Sequence, residues 1–275
     1  MQGILSARRP LNSGGGIPAL GFGTWQLRDG EEASKATGLA LDAGYRLLDT
    51  ASLYGNERGV GRAVRESGIQ REEVFVTTKV WNTDHGHKKT LRAFEESNSR
   101  LGLDYVDLYL IHWPVQKLRG ETWEALIELN RAGKAKSVGV SNYTVKHLKE
   151  LLASSKIVPS VNQVEFSPFL FQRELMEFCK SKGIVLEAYS PLVRGEKLGD
   201  PRLSAIAARH RRTPAQIILR WNLQHGLVPI PKAADAGHIR ENAAIFDFEL
   251  SAEEMGALDS MDEGHRECWD PSELE

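Results

Sequence analysis

Val106-Asp107-Leu108-Tyr109-Leu110-Ile111-His112 and Lys136-Ser137-Val138-Gly139-Val140-Ser141-Asn142 decide how the chain is built. Both runs are short, rich in β-branched and aromatic residues, and weak in polar alternation, which suits strands buried on both faces. Working outward, similar runs occupy 19–25, 46–50, 74–80, 160–165, 185–189 and 227–231, so that with 106–112 and 136–141 the sequence predicts eight strands. Between them lie segments with apolar residues at helical spacing, at 31–43, 57–67, 88–101, 122–132, 145–153, 173–182, 214–224 and 238–244. Gly44, Gly68, Gly102, Gly133, Gly183 and Gly226 stand where these helices must stop before the next strand. Eight strand–helix units close most economically into a (β/α)8 TIM barrel of the α/β class, whose usual size of about 250 residues fits.

The remainder is small. Residues 1–18, with Asn12-Ser13-Gly14-Gly15-Gly16 in the middle, read as a β-hairpin capping one end of the barrel, and 251–261 reads as an extra C-terminal helix opened by a Ser-x-x-Glu cap. A doubly wound open sheet would announce a dinucleotide with G-x-G-x-x-G after its first strand, but Gly21-Phe22-Gly23 continues as Thr24-Trp25-Gln26 and the third glycine is missing. No linker divides the 275 residues, so 1–275 is expected to be one barrel domain. With 35 Lys+Arg against 37 Asp+Glu there is no basic field to collect nucleic acid. A signal-type leader and an apolar run near 18 residues are both absent, and only Cys179 and Cys268 occur. A cytoplasmic, thiol-reduced protein acting as a monomer on a small molecule, away from membranes, is the expectation.

In a parallel barrel the active site forms at the C-terminal ends of the strands. Here those ends carry Asp49, Lys79, His112, Ser141, Asn142, Gln163, Glu165, Tyr189, Ser190 and Lys232, with Tyr54 in the loop after the second strand. One polar residue at a strand end is usually a cap or a surface group; the whole set on one rim is a site. A phenol is a poor acid at neutral pH, and a neighbouring ammonium lowers its pKa by stabilising the phenolate. Lys79 can serve as that ammonium, Asp49 can hold the lysine, and His112 can orient a carbonyl oxygen. An acid aimed at a carbonyl oxygen, without a nucleophile or metal, suits reduction by hydride from a nicotinamide.

These residues sit in nine ordered motifs through which the chain resembles the aldo-keto reductases, in particular short-loop prokaryotic-type members such as the diketogluconate and methylglyoxal reductases. The motifs are Gly-Phe-Gly-Thr-Trp at 21–25, Gly-Tyr-Arg-Leu-Leu-Asp-Thr-Ala at 44–51, Tyr-Gly-Asn-Glu at 54–57, Thr-Thr-Lys-Val-Trp at 77–81 and Asp-Leu-Tyr-Leu-Ile-His-Trp-Pro at 107–114. Gly-Val-Ser-Asn at 139–142, Asn-Gln-Val-Glu at 162–165, Tyr-Ser-Pro-Leu at 189–192 and Ile-Pro-Lys at 230–232 complete them. The resemblance implies reduction of aldehydes or ketones with extended NADPH, Tyr54 as proton donor, and Asp49, Lys79 and His112 completing a catalytic tetrad. It places Thr24, Trp25 and Asp49 beside the cofactor, Ser141, Asn142 and Gln163 on the nicotinamide carboxamide, and Tyr189 on the nicotinamide face. Ser190, Leu192 and Arg194 fall in its pyrophosphate strap, Lys232, Ala233 and His238 at its 2′-phosphate pocket, and Glu241 with Asn242 at its adenine pair. Trp25, Tyr54, Trp81, His112 and Trp113 fall where the family lines its substrate mouth.

The 2′-phosphate region departs from the family pattern. Pro-Lys-Ser becomes Pro231-Lys232-Ala233, and the usual Arg becomes His238, so a hydroxyl and a forked guanidinium are lost. Arg240 lies about 200° around the helix from His238 and is poorly placed to substitute. NADP(H) is therefore expected to be favoured with a weakened preference, and NAD(H) to be used as well. The short segments after Pro114 and after the last helix imply an open mouth and broad selectivity, with Trp269 either at the pocket edge or only anchoring the tail.

Blander readings cover the rest. His85 and His87 read as a solvated loop rather than a metal site, and Arg209-His210-Arg211-Arg212 as an exposed turn. No metal is expected. Two rival functions remain in view: a cofactor-binding barrel that senses or regulates without turnover, and a barrel isomerase or lyase forming a Schiff base on Lys79.

Overall fold

Alternate residues of the central strands point to opposite sides, and the sequence makes both sides apolar over most of their length. In the computed structural model, which describes residues 7–274, this produces a closed barrel. An antiparallel hairpin, β1 (Arg8–Pro10) and β2 (Gly16–Pro18), comes first. Eight parallel strands follow: β3 (Gly21–Gly23), β4 (Leu47–Asp49), β5 (Phe75–Val80), β6 (Val106–Ile111), β7 (Ala135–Ser141), β8 (Val161–Glu165), β9 (Val185–Tyr189) and β10 (Val228–Pro229). Each pairs with its neighbour in chain order, and Gly23 N donates to Pro231 O at 3.1 Å to close the ring.

Between the strands run α1 (Glu31–Asp42), α2 (Glu57–Glu66), α3 (His87–Leu101), α4 (Arg119–Arg131), α5 (Val145–Ser154), α6 (Arg173–Ser181), α7 (Pro201–His210) and α8 (Pro214–Gln224). After β10 come α9 (Ala236–Ala243) and α10 (Ala252–Asp259). Among the described residues no helix is long and apolar enough to cross a membrane.

The outward strand residues, such as Leu48, Val76, Tyr109, Ile111 and Val140, pack with helix residues including Phe94, Trp123, Leu126 and Ile218 in one large core. Trp123 and Trp221 are buried, with their indole N–H groups paired to Ser155 Oγ (3.1 Å) and Asp259 Oδ1 (2.8 Å), so truncating either to Ala would cost about 3–5 kcal/mol. Inside the ring a second cluster of Leu47, Phe75, Leu108, Leu110, Val161, Val228 and Ile230 fills the N-terminal half of the barrel. Leu11 and Ile17 of the hairpin join it, while Asn12 donates to Pro159 O and accepts from Ser160 Oγ. The hairpin thus seals that end and leaves chemistry to the other. Gly139 shows how tight the wall is: a Cβ there would meet Val161 O at 2.5 Å.

The predicted fold class, hairpin and Ser251-capped last helix are all present, the last with Ser251 and Glu254 bonded reciprocally. Residues 1–6 of the predicted hairpin segment lie outside the described residues. All six predicted stop glycines take positive φ. Three differences need physical reasons. The predicted first strand shrinks to Gly21–Gly23 because Ala19 N bonds Ala7 O of the hairpin segment instead of the barrel ladder. The helix α7 was not expected; it buries only Leu203, Ile206 and Ala207, too narrow a stripe to stand out. The basic run is therefore the end of α7 and its exit turn, with Arg209 and Arg211 exposed as expected and His210 on Glu254 (2.9 Å) and Arg212 on Asp247 (2.6 Å). Lastly, His85 is buried, not solvated, and only His87 meets a surface carboxylate, Glu128, at 3.0 Å.

Candidate active site

Above the apolar plug the inward positions turn polar. Asp49 ends β4, Lys79 is the fifth residue of β5, Gln163 is central in β8, and Glu187 is central in β9. Lys79 Nζ donates to Asp49 Oδ1 at 2.7 Å, to Thr50 O at 3.0 Å and to Tyr54 Oη at 3.2 Å. Gln163 Nε2 donates to Asp49 Oδ2 at 2.7 Å and to Glu187 Oε2 at 2.8 Å. Burial works against the Lys79 ammonium, but Asp49, Tyr54 and Glu187 outweigh it and hold its pKa above the ordinary value.

Tyr54 is delivered by local sequence. A single 3₁₀ turn, Ser52–Tyr54, follows β4 and ends at Gly55 with φ 67°, a left-handed conformation that glycine adopts cheaply. Ser52 Oγ ties the turn to Lys79 O at 2.9 Å. Asn56, fully buried, accepts from Thr50 Oγ1 and donates to Thr24 O and Leu27 O, joining the loops after β3 and β4. Glu57 accepts from Thr78 Oγ1 at 2.6 Å and from Arg100 at 2.6 Å. Asn56 and Glu57, which the sequence shows only as part of a motif, are the buried frame that holds the phenol.

Tyr54 differs from expectation in one respect. Burial pushes the phenol up to about 12, and the pull of the Lys79 ammonium moderates the rise without reversing it. The hydroxyl therefore stays protonated at neutral pH, yet remains a stronger acid than an alkoxide's conjugate alcohol. His112 sits beside it, ring centroids 5.7 Å apart, and burial followed by the charges of Lys79 and His85 holds its pKa well below the usual imidazole value. A neutral imidazole results, and its Nδ1 has no partner among the described residues.

The mouth is aromatic. Trp25 lies 4.8 Å from the Tyr54 ring and Trp81 5.1 Å from His112. Trp113 packs against Trp269 at 5.4 Å, which places the tail tryptophan at the mouth, 65% exposed. Glu165 explains that placement. Its two carboxylate oxygens accept from Glu267 N (2.6 Å) and Cys268 N (3.1 Å), so this rim residue fastens the tail. Arg194 also binds the tail, through Glu267 at 3.0 Å.

Several of the other predicted positions bond directly to the tetrad and floor residues or to their strand neighbours. Thr24 donates to Asp49 O at 2.8 Å, Ser141 Oγ to Gln163 O at 2.8 Å, and Asn142 Nδ2 to His112 O at 2.9 Å. Tyr189 donates to Asn142 Oδ1 at 2.8 Å. Asn142, Ser190, Val193 and Arg194 all have φ between 46° and 63°, a costly conformation for side-chain-bearing residues, above all the β-branched Val193. Leu192 is half-buried in that loop. Farther on, Lys232 is exposed, Ala233 buried, His238 exposed and Asn242 buried, and Glu241 accepts from Thr213 Oγ1 at 2.7 Å. Asp235 was missed. It caps α9, its Oδ1 accepting from Gly237 N (2.7 Å) and His238 N (3.1 Å), so a carboxylate already occupies the donor end of that helix. Its place just before a helical run was the readable signal.

Comparison with known proteins agrees with this geometry. Residues 19–263 match the model of the aldo/keto reductase family. The chain is 51% identical to a 9,11-endoperoxide prostaglandin H2 reductase of Trypanosoma cruzi over 93% of this chain and 91% of that one. It is 50% identical to a glyoxal reductase of Bacillus subtilis over 96% of both. Among solved structures, a Bombyx mori aldo-keto reductase in complex with NADP superposes with a TM-score of 0.90 at 37% identity, covering 94% of each chain. With the fold, the rim and the sequence in agreement, this chain belongs to the aldo/keto reductase family and is an NAD(P)-dependent oxidoreductase.

Proposed function

We propose that the protein reduces aldehydes and ketones to alcohols with Tyr54 as the proton donor. The carrying observation is the contact of Tyr54 Oη with Lys79 Nζ at 3.2 Å, at the open end of a barrel whose other end is plugged. A bound dihydronicotinamide supplies hydride to the carbonyl carbon. Tyr54 gives its proton to the carbonyl oxygen as negative charge grows there, and the Lys79 ammonium stabilises the phenolate left behind. Asp49 holds that ammonium in place. The neutral His112 directs the oxygen toward Tyr54 without adding a competing charge. The aromatic walls exclude water and suit carbonyls with apolar or modestly polar tails. The glyoxal reductase name of the Bacillus subtilis relative supports small carbonyls as a substrate class.

The residues fit a nicotinamide dinucleotide. Gln163 spends its amide hydrogens on the floor, and His112 Nδ1 takes no hydrogen bond among the described residues. Tyr189 offers a flat ring beside them, and Arg194 and Lys232 supply cations. NADP(H) is the favoured form, supported by the NADP-bound Bombyx mori neighbour. Ala233, His238 and the Asp235 carboxylate all weaken the hold on a 2′-phosphate, so NAD(H) also serves. A panel of small aldehydes and ketones assayed by oxidation of NADPH and NADH tests the reading; tight cofactor binding without turnover of any carbonyl would overturn it.

A further inference from the structure

The polar floor contains a carboxyl that the reaction above does not use. Glu187 lies on β9 between Val185, which packs on the apolar plug, and Tyr189 at the rim, and it is 0% exposed. Its Oε2 accepts from Gln163 Nε2, the same nitrogen that donates to Asp49 Oδ2. From Asp49 the row continues through Lys79 to the Tyr54 hydroxyl. The second oxygen, Oε1, is buried with no partner among the described residues.

A charge count settles the protonation of this row. It holds two carboxyls, a single amide nitrogen apart, and one ammonium, which bonds directly to Asp49. The groups facing Glu187 are Asp49 from β4, Lys79 from β5 and Gln163 from β8; its register partner on β10 is Val228, which offers no charge. A second carboxylate there would be desolvated, repelled by Asp49 and without a cation of its own. Burial first, and Asp49 second, push Glu187 up to about 8. At neutral pH the proton belongs on the unpartnered Oε1, which leaves Oε2 as the carbonyl oxygen that accepts from Gln163.

We propose that Glu187 is a positioning residue for the reaction: as a neutral acid it fixes the Gln163 amide against Asp49, and on losing its proton it makes Tyr54 a poorer acid. The second effect is electrostatic. An added negative charge at the foot of the row offsets the Lys79 ammonium, so the phenolate formed during reduction loses stabilisation.

This inference rests on Tyr54 being the proton donor, and its test separates the two. Glu187→Gln keeps a carbonyl acceptor for Gln163 and places an amide where the protonated Oε1 stands, but cannot ionise. Within each protein, the kcat for carbonyl reduction at about pH 9.5 is divided by that at about pH 7; the wild-type ratio is expected to fall about tenfold below that of Glu187→Gln. Glu187→Leu, which offers no acceptor, is expected to run about tenfold below Glu187→Gln at about pH 7. Equal alkaline falls in wild type and Glu187→Gln, or a Leu variant as fast as the Gln variant, would overturn the proposal. Thermal unfolding of the cofactor-free protein reads the proton without any catalysis. Glu187 adds stability in its protonated form, lost as pH rises toward and past about 8, so between about pH 6 and pH 9 the wild-type Tm should drop more than that of Glu187→Gln. Parallel Tm drops would likewise overturn it. A Tyr54→Phe variant with near-normal turnover would instead sink the donor assignment while leaving the Tm comparison standing.

Discussion

Replacing Lys79 by Met should damage the fold as well as the chemistry, by an amount that the pairing lets one work out. Lys79 and Asp49 are both buried, 0% and 2% exposed, and meet at 2.7 Å. Lys79→Met removes the counter-charge of Asp49 and the donor to Thr50 O, stranding a carboxylate in the barrel. Breaking a buried pair from one side costs about 3–5 kcal/mol, a large part of a total stability of about 5–15 kcal/mol. Asp49→Asn on that background removes the stranded charge while still giving Gln163 Nε2 an oxygen. The double variant should therefore regain about 1–3 kcal/mol over Lys79→Met. Urea unfolding of wild type, both single variants and the double variant at neutral pH forms the cycle. A double variant no more stable than Lys79→Met would refute the claim that the stranded Asp49 charge is what the single substitution exposes.

Other outcomes follow from the same geometry. The ratio of kcat/KM for NADPH over NADH should lie below about a hundredfold, roughly 2.7 kcal/mol, and Asp235→Asn should raise it by tightening the Kd for NADPH more than that for NADH; a ratio above that bound, or a fall on substitution, would contradict the assignment. Burial pushes His85 down to about 4, so the neutral ring contributes stability that is present above about pH 6.5 and lost as pH falls toward 4. His85→Leu should accordingly flatten the acid side of the Tm profile, and an unchanged profile would remove His85 as its source. Trp269→Ala should raise KM for aromatic aldehydes about fivefold while leaving kcat for the smallest aldehydes in place; equal effects on both would mean that the tail only anchors itself.

The rim was legible because barrel geometry assigns it. Asp49, Lys79, His112, Gln163 and Tyr189 stand at or near strand ends in a chain whose strand–helix alternation leaves one architecture, so their convergence could be read before any coordinates. Glu187 was not singled out, since one acidic residue in a five-residue strand reads equally as an outward, solvated position; only the closed ring makes it inward and buried. The same gap hid His85, whose loop looks polar in sequence yet folds under the rim. Helix α7 carried a readable start, Asp200 followed by Pro201, but its weak apolar stripe masked it. Glu165 shows another gap of this kind. Its strand-end position marks it only as one polar group of the rim, and its partners are tail backbone N–H groups 102 and 103 residues away, a contact that no local pattern encodes. The Tyr54 phenol was expected to be lowered by Lys79 because the sequence reveals the charge but not the burial that opposes it.

If Tyr54 supplies the proton, Tyr54→Phe isolates that step, because the ring, the Trp25 contact and the floor all remain. Carbonyl reduction is to be measured at saturating NADPH together with the Kd for NADPH. A kcat lowered by about three orders of magnitude with the Kd changed less than about threefold is expected; a variant that turns over within about tenfold of wild type would remove Tyr54 as the donor.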